Sequence, residues 1–201
     1  MRFFFKYASV LNLASIADQV VGLALASGDL KNYDSDRGFG NIFKWRTLND
    51  AFKEAKLTRK PIFLVVHRPW CPACKKLKIN FEKSIKLLDL SKHFVMVNVE
   101  NTADMVNNSG KFYPDGKYVP RILFFTPDGE LIQDAYNRSP KADPEFRYFY
   151  NSPAPIIETM VYVLKHYVKS GSFEPAQYEG ELKKAEIIDD KSDSDKPTVL
   201  D

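Results

Sequence analysis

The stretch FLVVHRPWCPACKKLK, residues 63–78, constrains the fold more than any other part of the chain. It contains Cys71 and Cys74, the only two cysteines among 201 residues. The apolar run before the pair is typical of a strand buried on both faces. Pro72 suits the first turn of a helix, where its missing N–H costs little. The stretch therefore predicts a buried strand followed by a helix that begins at the cysteine pair.

The remaining elements predict an α/β domain. A helix is expected from Thr47, because Thr47 and Asp50 form a capping-box-like pair. A second buried strand is predicted at FVMVNVE, residues 94–100. RILFFT, the turn PDG and ELIQDAY are expected to form a β-hairpin over residues 121–136. An amphipathic helix over residues 155–169 would close the domain. This order predicts the α/β class. Together with the cysteine site described next, it predicts a thioredoxin-like fold with a central mixed sheet flanked by helices.

The helix that begins at the cysteine pair has one apolar face, whose members recur at intervals of three or four residues: Cys74, Leu77, Phe81, Ile85 and Leu88. Cys74 is therefore expected to point into the core, and Cys71 to lie exposed at the helix N-terminus. Unpaired N–H groups and the helix dipole stabilise a thiolate at that position. Cys71 is the candidate nucleophile, and Cys74 is the cysteine that would resolve a mixed disulfide.

A redox couple explains this pair better than a metal site does. The three histidines are scattered and offer no second ligand pair with zinc spacing, so no metal is expected. The predicted redox group is a Cys71–Cys74 disulfide, with no other cofactor. Pro72 and Ala73 separate the cysteines, with no histidine between them. We therefore expect a milder oxidant than proteins with a Cys-x-His-Cys motif.

Several other residues are predicted to support the site. Val119–Pro120 is a candidate cis peptide bond, and the backbone of Tyr118, Val119 and Pro120 is expected to bind an extended substrate segment. Trp70 would cover one side of the motif and offer an apolar contact. Two interpretations of His67 stay open: it assists proton transfer to the buried cysteine, or it is a packed residue at the end of the strand.

The termini differ in composition from the central part. MRFFFK followed by an apolar run predicts a secretory signal peptide within residues 1–26, with cleavage after Ala17 or Ala26. Residues 27–40 are interpreted as a linker and residues 41–170 as one domain. Residues 171–201 carry nine acidic and four basic residues and predict a flexible acidic tail.

Bulk properties argue against two classes of partner. The formal net charge is only +3, so neither nucleic acid nor an anionic membrane surface is expected as a partner. No apolar run reaches the length of a membrane-spanning helix.

Four segments resemble the family of thioredoxin domain-containing protein 12 and the anterior gradient proteins, over about residues 38–170. They are FKWRTLNDAFKEAKLTRKPIFLVVHRPWCPACKKLK, FVMVNVE, YPDGKYVPRILFFTPDGE and RYFYNS. The resemblance implies a thioredoxin-fold protein of the endoplasmic reticulum that exchanges disulfides with folding secretory proteins. It places the active cysteines at Cys71 and Cys74, the cis-proline at Pro120 and a family histidine at His67.

The chain departs from that family at three positions. The motif is Cys-Pro-Ala-Cys instead of Cys-Gly-Ala-Cys, which predicts a different redox potential. Val65 stands where thioredoxins hold a buried carboxylate. The chain ends DKPTVLD, which is not a KDEL-type retrieval signal. The endoplasmic reticulum lumen and secretion therefore both stay open as locations.

The leading functional prediction is a protein thiol-disulfide oxidoreductase that forms, reduces or isomerises disulfides in secretory-pathway proteins. Its partners would be client proteins with thiols or disulfides, with glutathione or another thiol oxidoreductase for recycling. The alternative is a client-binding module that tethers partners by mixed disulfides with little turnover. A third interpretation, a glutaredoxin-like enzyme, is suggested by Cys-Pro-x-Cys, but no glycine pair follows the predicted hairpin.

Overall fold

The computed structural model describes residues 36–100, 110–168 and 196–200. The predicted signal peptide, most of the predicted linker and residues 171–195 of the predicted tail lie outside these residues. Within the described residues, no helix combines the length and the apolar character needed to cross a membrane.

The elements follow one another along the chain as β1 (Trp45–Arg46), α1 (Leu48–Thr58), β2 (Ile62–His67), α2 (Pro72–Glu82), α3 (Ile85–Ser91), β3 (Val95–Glu100), β4 (Tyr118–Val119), β5 (Arg121–Phe125), α4 (Pro153–Tyr167) and β6 (Thr198–Val199). A four-stranded sheet has the order β1-β3-β2-β5. In it β3 pairs in parallel with β1 and β2, and β5 pairs antiparallel with β2. Strands β4 and β6 form a separate antiparallel pair. The predicted α/β class is confirmed.

Strand β2 lies at the centre of the core. All six of its residues are buried, as the unbroken apolar run predicts. Phe63 and Val65 belong to the cluster packed against α2 and α4, whereas Leu64 and Val66 belong to the cluster on the other face. Because successive strand residues point to opposite faces, a continuous apolar run serves both layers. The strand therefore holds its last residue, His67, at a fixed place at the carboxyl end of β2, an inner strand of the sheet.

The helix predicted from the cysteine pair to Leu88 is two helices. Its first part ends at Glu82, and Ser84 begins α3 as an N-cap whose hydroxyl accepts from the Leu87 N–H. Ile85 was expected on the buried face but is 82% exposed. The cap turns the chain at this point, so the helical spacing does not continue across it.

The predicted hairpin after β5 is wrong beyond its first residues. One isolated bridge joins Phe125 to Leu131, and residues 126–152, all of which the structure describes, contain no second strand. Downstream of the bridge, the Asp134 carboxylate accepts hydrogen bonds from the hydroxyls of Tyr162 and Tyr167. These bonds attach the segment to α4, which explains why it leaves the edge of β5.

Two segments pack more closely than their sequence suggests. Phe39 lies in the predicted linker but is fully buried, with its ring against those of Trp45 and Phe81. In the predicted flexible tail, residues 198–199 form β6 against β4, so that expectation is wrong for this short segment. Helix α4 spans residues 153–167 instead of 155–169.

Candidate functional site

Cys71 is the N-cap residue of α2. Its backbone is extended, with φ −71° and ψ 123°, and its Sγ accepts a hydrogen bond from the Cys74 N–H at 3.1 Å. A sulfur thus stands where a helix ordinarily places a hydroxyl or carboxylate oxygen. The first-turn N–H groups and the positive end of the helix dipole stabilise negative charge at this atom. The predicted helix start at the cysteine pair is confirmed.

The pKa values of the two thiols are shifted in opposite directions. The pKa of Cys71 is lowered to about 6, chiefly because the Cys74 thiol donates a hydrogen bond to its sulfur, although burial opposes the shift. The Thr198 hydroxyl and the backbone N–H groups of Cys74 and Ala73 lower it further. The same thiol–thiol bond, together with burial, raises the pKa of Cys74. The pair therefore holds one thiolate and one proton at neutral pH.

Both sulfurs are buried. Cys74 is 0% exposed, as predicted, but Cys71 is also 0% exposed, and the expectation of an exposed nucleophile is wrong. The Val119 carbonyl lies 3.8 Å from Cys71 Sγ, and Thr198 Oγ1 lies 3.5 Å from it. Cys71 is covered by tertiary contacts: these groups come from β4 and β6, both more than forty residues away in the sequence.

The Val119–Pro120 peptide bond is cis, as predicted. It joins the end of β4 to the start of β5 and places the Val119 carbonyl over the Cys71 sulfur. The backbone edge of β4 therefore runs beside the Cys71 sulfur, which is the geometry needed for pairing with an extended segment. That Val119 and Pro120 bind substrate stays a prediction.

Tyr118 contributes its backbone to this edge, but its side chain faces inward. The fully buried ring directs its hydroxyl to the Asp115 carboxylate, which accepts at 2.8 Å, and that hydroxyl accepts from the Tyr148 N–H at 3.1 Å. The side chain thus anchors β4 to the loop before it and to residue 148. Any contact of Tyr118 with substrate would be made by its main chain.

Arg121 supports the same edge and was missed by the sequence analysis. It is fully buried, and its guanidinium donates to the Tyr118 carbonyl at 2.5 Å and stacks over the Tyr113 ring at 4.5 Å. The signal was present in the sequence, since a lone cation at the start of the apolar run RILFF demands a buried partner. Its role is to position the backbone of β4.

His67 is a packed residue in this geometry. It is fully buried, and its ring lies 5.1 Å from that of Phe39. Its pKa is lowered to about 3, first by burial and then by the charges of Lys78 and Arg37. The ring is therefore neutral at neutral pH. The contacts favour packing over proton transfer.

Lys78 is a cation near the cysteine pair that the sequence analysis did not single out. It lies one turn after Cys74 on α2, with Nζ 5.2 Å from the centre of the Phe39 ring. Its charge lowers the pKa of Cys74, opposing burial there, and burial lowers the pKa of Lys78 itself. A spacing of four residues from Cys74 was the available signal.

The surface beside the sulfurs is apolar. Trp70 is 56% exposed and Pro72 is exposed, while Ala73 is buried between the cysteines. That Trp70 covers one side of the motif and contacts a bound segment stays a prediction.

Comparison with known proteins agrees with this architecture. Residues 44–127 match the protein-family model described as Thioredoxin-like. The fold of this region is thioredoxin-like. The resemblance to anterior gradient proteins is also confirmed: the chain is 34% identical to human anterior gradient protein 2 homolog over 104 residues, 51% of this chain and 57% of that protein. It is 32% identical to mouse anterior gradient protein 3, again over 51% of this chain and 61% of that protein.

The matched region spans less than two thirds of these curated relatives. Among solved structures, the chain is similar to a thioredoxin from Thermus thermophilus, at 18% identity over 65% of this chain and 92% of that chain, with a TM-score of 0.48. It is also similar to a disulphide isomerase from Xylella fastidiosa Temecula1, at 26% identity over 42% of this chain and 66% of that chain, with a TM-score of 0.36. The fold assignment rests on the domain match and on the topology described above.

Proposed function

We propose that this protein is a protein thiol-disulfide oxidoreductase that uses Cys71 as nucleophile and Cys74 as resolving cysteine. The observation that carries the proposal is the Cys71 sulfur at the N-cap of α2, which accepts from the Cys74 N–H at 3.1 Å and from the Cys74 thiol. A thiolate at neutral pH beside a protonated partner is the arrangement that disulfide exchange requires.

In the reducing direction, the Cys71 thiolate attacks one sulfur of a client disulfide. A Cys71–client disulfide forms, and the second client sulfur leaves as a thiolate. Cys74 then loses its proton and attacks Cys71 Sγ, which releases the first client sulfur as a thiolate. The two client thiolates take up two protons, the client gains two electrons, and a Cys71–Cys74 disulfide remains. Forming a client disulfide is the same sequence in reverse.

The proposed setting is the secretory pathway, either in the endoplasmic reticulum lumen or after secretion. The predicted signal peptide and the similarity to anterior gradient proteins support it. Clients would be proteins with thiols or disulfides, and glutathione or another thiol oxidoreductase would return the pair to its starting state. The redox group is the cysteine pair itself, and no metal is needed.

A second candidate is a client-binding module with little turnover. It is favoured by the complete burial of Cys71, because a covered nucleophile reacts slowly with a bulky disulfide. The candidates differ in whether the purified protein reduces a model protein disulfide over many cycles when a reductant is supplied. Turnover with glutathione as the reductant, and none with dithiol reductants, would instead support the glutaredoxin-like interpretation.

Trapping tests the residue roles. Cys74→Ser should accumulate mixed disulfides with clients, because nothing is left to resolve them. Cys71→Ser should trap none and should lose turnover. Trapping by Cys71→Ser but not by Cys74→Ser would reverse the assigned roles. If neither variant trapped a mixed disulfide, the proposed mechanism would be wrong.

A further inference from the structure

The segment of residues 196–200 lies along the edge of β4. Val199 pairs with Tyr118 and Thr198 pairs with Val119, in antiparallel register. The Leu200 N–H donates to the Lys117 carbonyl at 2.8 Å. This is the edge that the cis peptide bond holds beside Cys71.

The side chains of the segment alternate between the site and solvent. Thr198 points to the site, with Oγ1 3.5 Å from Cys71 Sγ. Val199 is 64% exposed, and Leu200 is partly buried against the cluster that contains Cys71, Ala73 and Tyr118. A strand period of two thus presents residues 198 and 200 to the site.

We propose that residues 196–200 occupy the client-binding edge in the manner of a client, with Thr198 at the position of a client's reacting cysteine. The inference rests on the proposed function and names its substrate class. Clients are extended segments that pair antiparallel with β4 and carry an apolar residue two positions after the reacting cysteine, where Leu200 lies. They reach Cys71 only when the segment leaves.

Residues 196–200 can occupy the β4 edge despite the short pairing because they belong to the same chain. The register joins only two residue pairs, which would bind weakly as a separate peptide. Because the segment belongs to the same chain, its pairing with the edge is intramolecular, which raises its occupancy above that of a free peptide. A client must compete with it, so binding selects segments whose side chains fit the two inward positions better than Thr198 and Leu200 do.

Disulfide capture tests the register. In a Cys74→Ser background, the thiol introduced by Thr198→Cys should form a disulfide with Cys71 when oxidised glutathione is added. Two thiols then lose two protons and two electrons, and one oxidised glutathione becomes two reduced molecules. Val199→Cys is the matched control, because its side chain lies on the exposed face and should not form this bond. Equal cross-linking by both variants, or none by Thr198→Cys, would overturn the register.

Alkylation tests whether residues 196–200 cover Cys71. Leu200→Asp places a charge against the apolar cluster and should release the segment, whereas Val199→Asp adds the same charge on the exposed face. At a pH where Cys71 is fully thiolate, we expect iodoacetamide to modify Cys71 at least about tenfold faster in Leu200→Asp than in the control. Equal rates would show that the segment does not cover Cys71. Neither this assay nor disulfide capture requires turnover, so each can succeed where the proposed catalytic activity fails.

Synthetic peptides test the client class. The full chain with Cys74→Ser and Leu200→Asp would be mixed with Lys-Pro-Cys-Val-Leu or with Lys-Pro-Cys-Val-Ser, each activated as a mixed disulfide with a common leaving thiol. The leucine peptide should form the Cys71 adduct severalfold faster. Equal rates would remove the apolar position from the inferred client class, and adduct formation with neither peptide, beside normal alkylation, would remove the edge as a client site.

Discussion

Removing the Cys74 thiol is the sharpest test of how the site acidifies Cys71. The hydrogen bond from that thiol is the largest cause of the low Cys71 pKa. Cys74→Ala deletes the donor, whereas Cys74→Ser keeps an O–H donor of similar size. The pair of variants therefore separates the hydrogen bond from the helix position, which both variants retain.

The magnitude follows from the bond. A hydrogen bond to a charged group contributes about 1.5–3 kcal/mol, which corresponds to about one to two pKa units. Cys74→Ala should thus raise the pKa of Cys71 from about 6 to between about 7 and 8. At pH 7 the thiolate fraction would fall from about 90% to between about 10% and 50%. The Cys74 and Ala73 backbone N–H groups and the Thr198 hydroxyl should keep it below the pKa of free cysteine.

The assay is the ultraviolet absorbance of the thiolate against pH, with alkylation rates as a second readout. Cys71 is the sole remaining cysteine in each variant, so the midpoint is assigned without ambiguity. Cys74→Ser should titrate within about half a pKa unit of the reduced wild type, since an O–H donor replaces the S–H donor. The reasoning fails if the alanine and serine variants share one midpoint, or if the wild type titrates like free cysteine near pH 8.5.

Three further substitutions test the supporting structure. His67→Leu should reduce the loss of unfolding free energy at acid pH. In the wild type the folded pKa of His67 is about 3 against an ordinary 6.5, so protonation favours the unfolded state and lowers the free energy of unfolding by up to about 5 kcal/mol as pH falls through this window. Urea titrations at several pH values would measure the difference between the two proteins. Unchanged turnover in the same variant at neutral pH would exclude His67 from proton transfer. Tyr118→Phe should cost about 1–3 kcal/mol in urea unfolding, because the Tyr148 N–H loses its acceptor and the Asp115 carboxylate keeps only the Arg147 N–H; no change would contradict the anchoring role. Gly129→Ala should lower the melting temperature, since φ is +86° and the added Cβ would lie 3.1 Å from the Phe52 ring; an unchanged value would contradict this close approach.

Local chemistry made several features of the site predictable from the sequence. Thr47 caps α1 as expected, because a hydroxyl three residues before an acidic side chain satisfies a first-turn N–H. The start of α2 at Cys71 and Pro72 and the buried character of β2 follow from proline geometry and apolar continuity in the same way. The cis bond at Pro120 was likewise marked by its position before an apolar strand.

Other expectations failed because their causes are specific contacts that the apolar spacing along the chain does not encode. The missing hairpin strand follows from Asp134 binding tyrosines of α4, and the exposure of Ile85 from a turn capped by Ser84. Arg121 could be noticed as a buried cation, but its partner, the Tyr118 carbonyl, emerges only when β4 is placed beside it. Such contacts carry no periodic signal along the chain.

The two kinds of cause can be separated at the Cys71 sulfur. Neighbouring residues are enough to predict that Cys71 begins a helix with Cys74 one turn later, since proline placement and helical spacing are local properties. The cover over Cys71 depends on the folded chain, because the Val119 carbonyl and the Thr198 hydroxyl reach it from 48 and 127 residues away. Acidity is therefore largely a local property of this site, whereas access to it depends on strand pairing between distant segments.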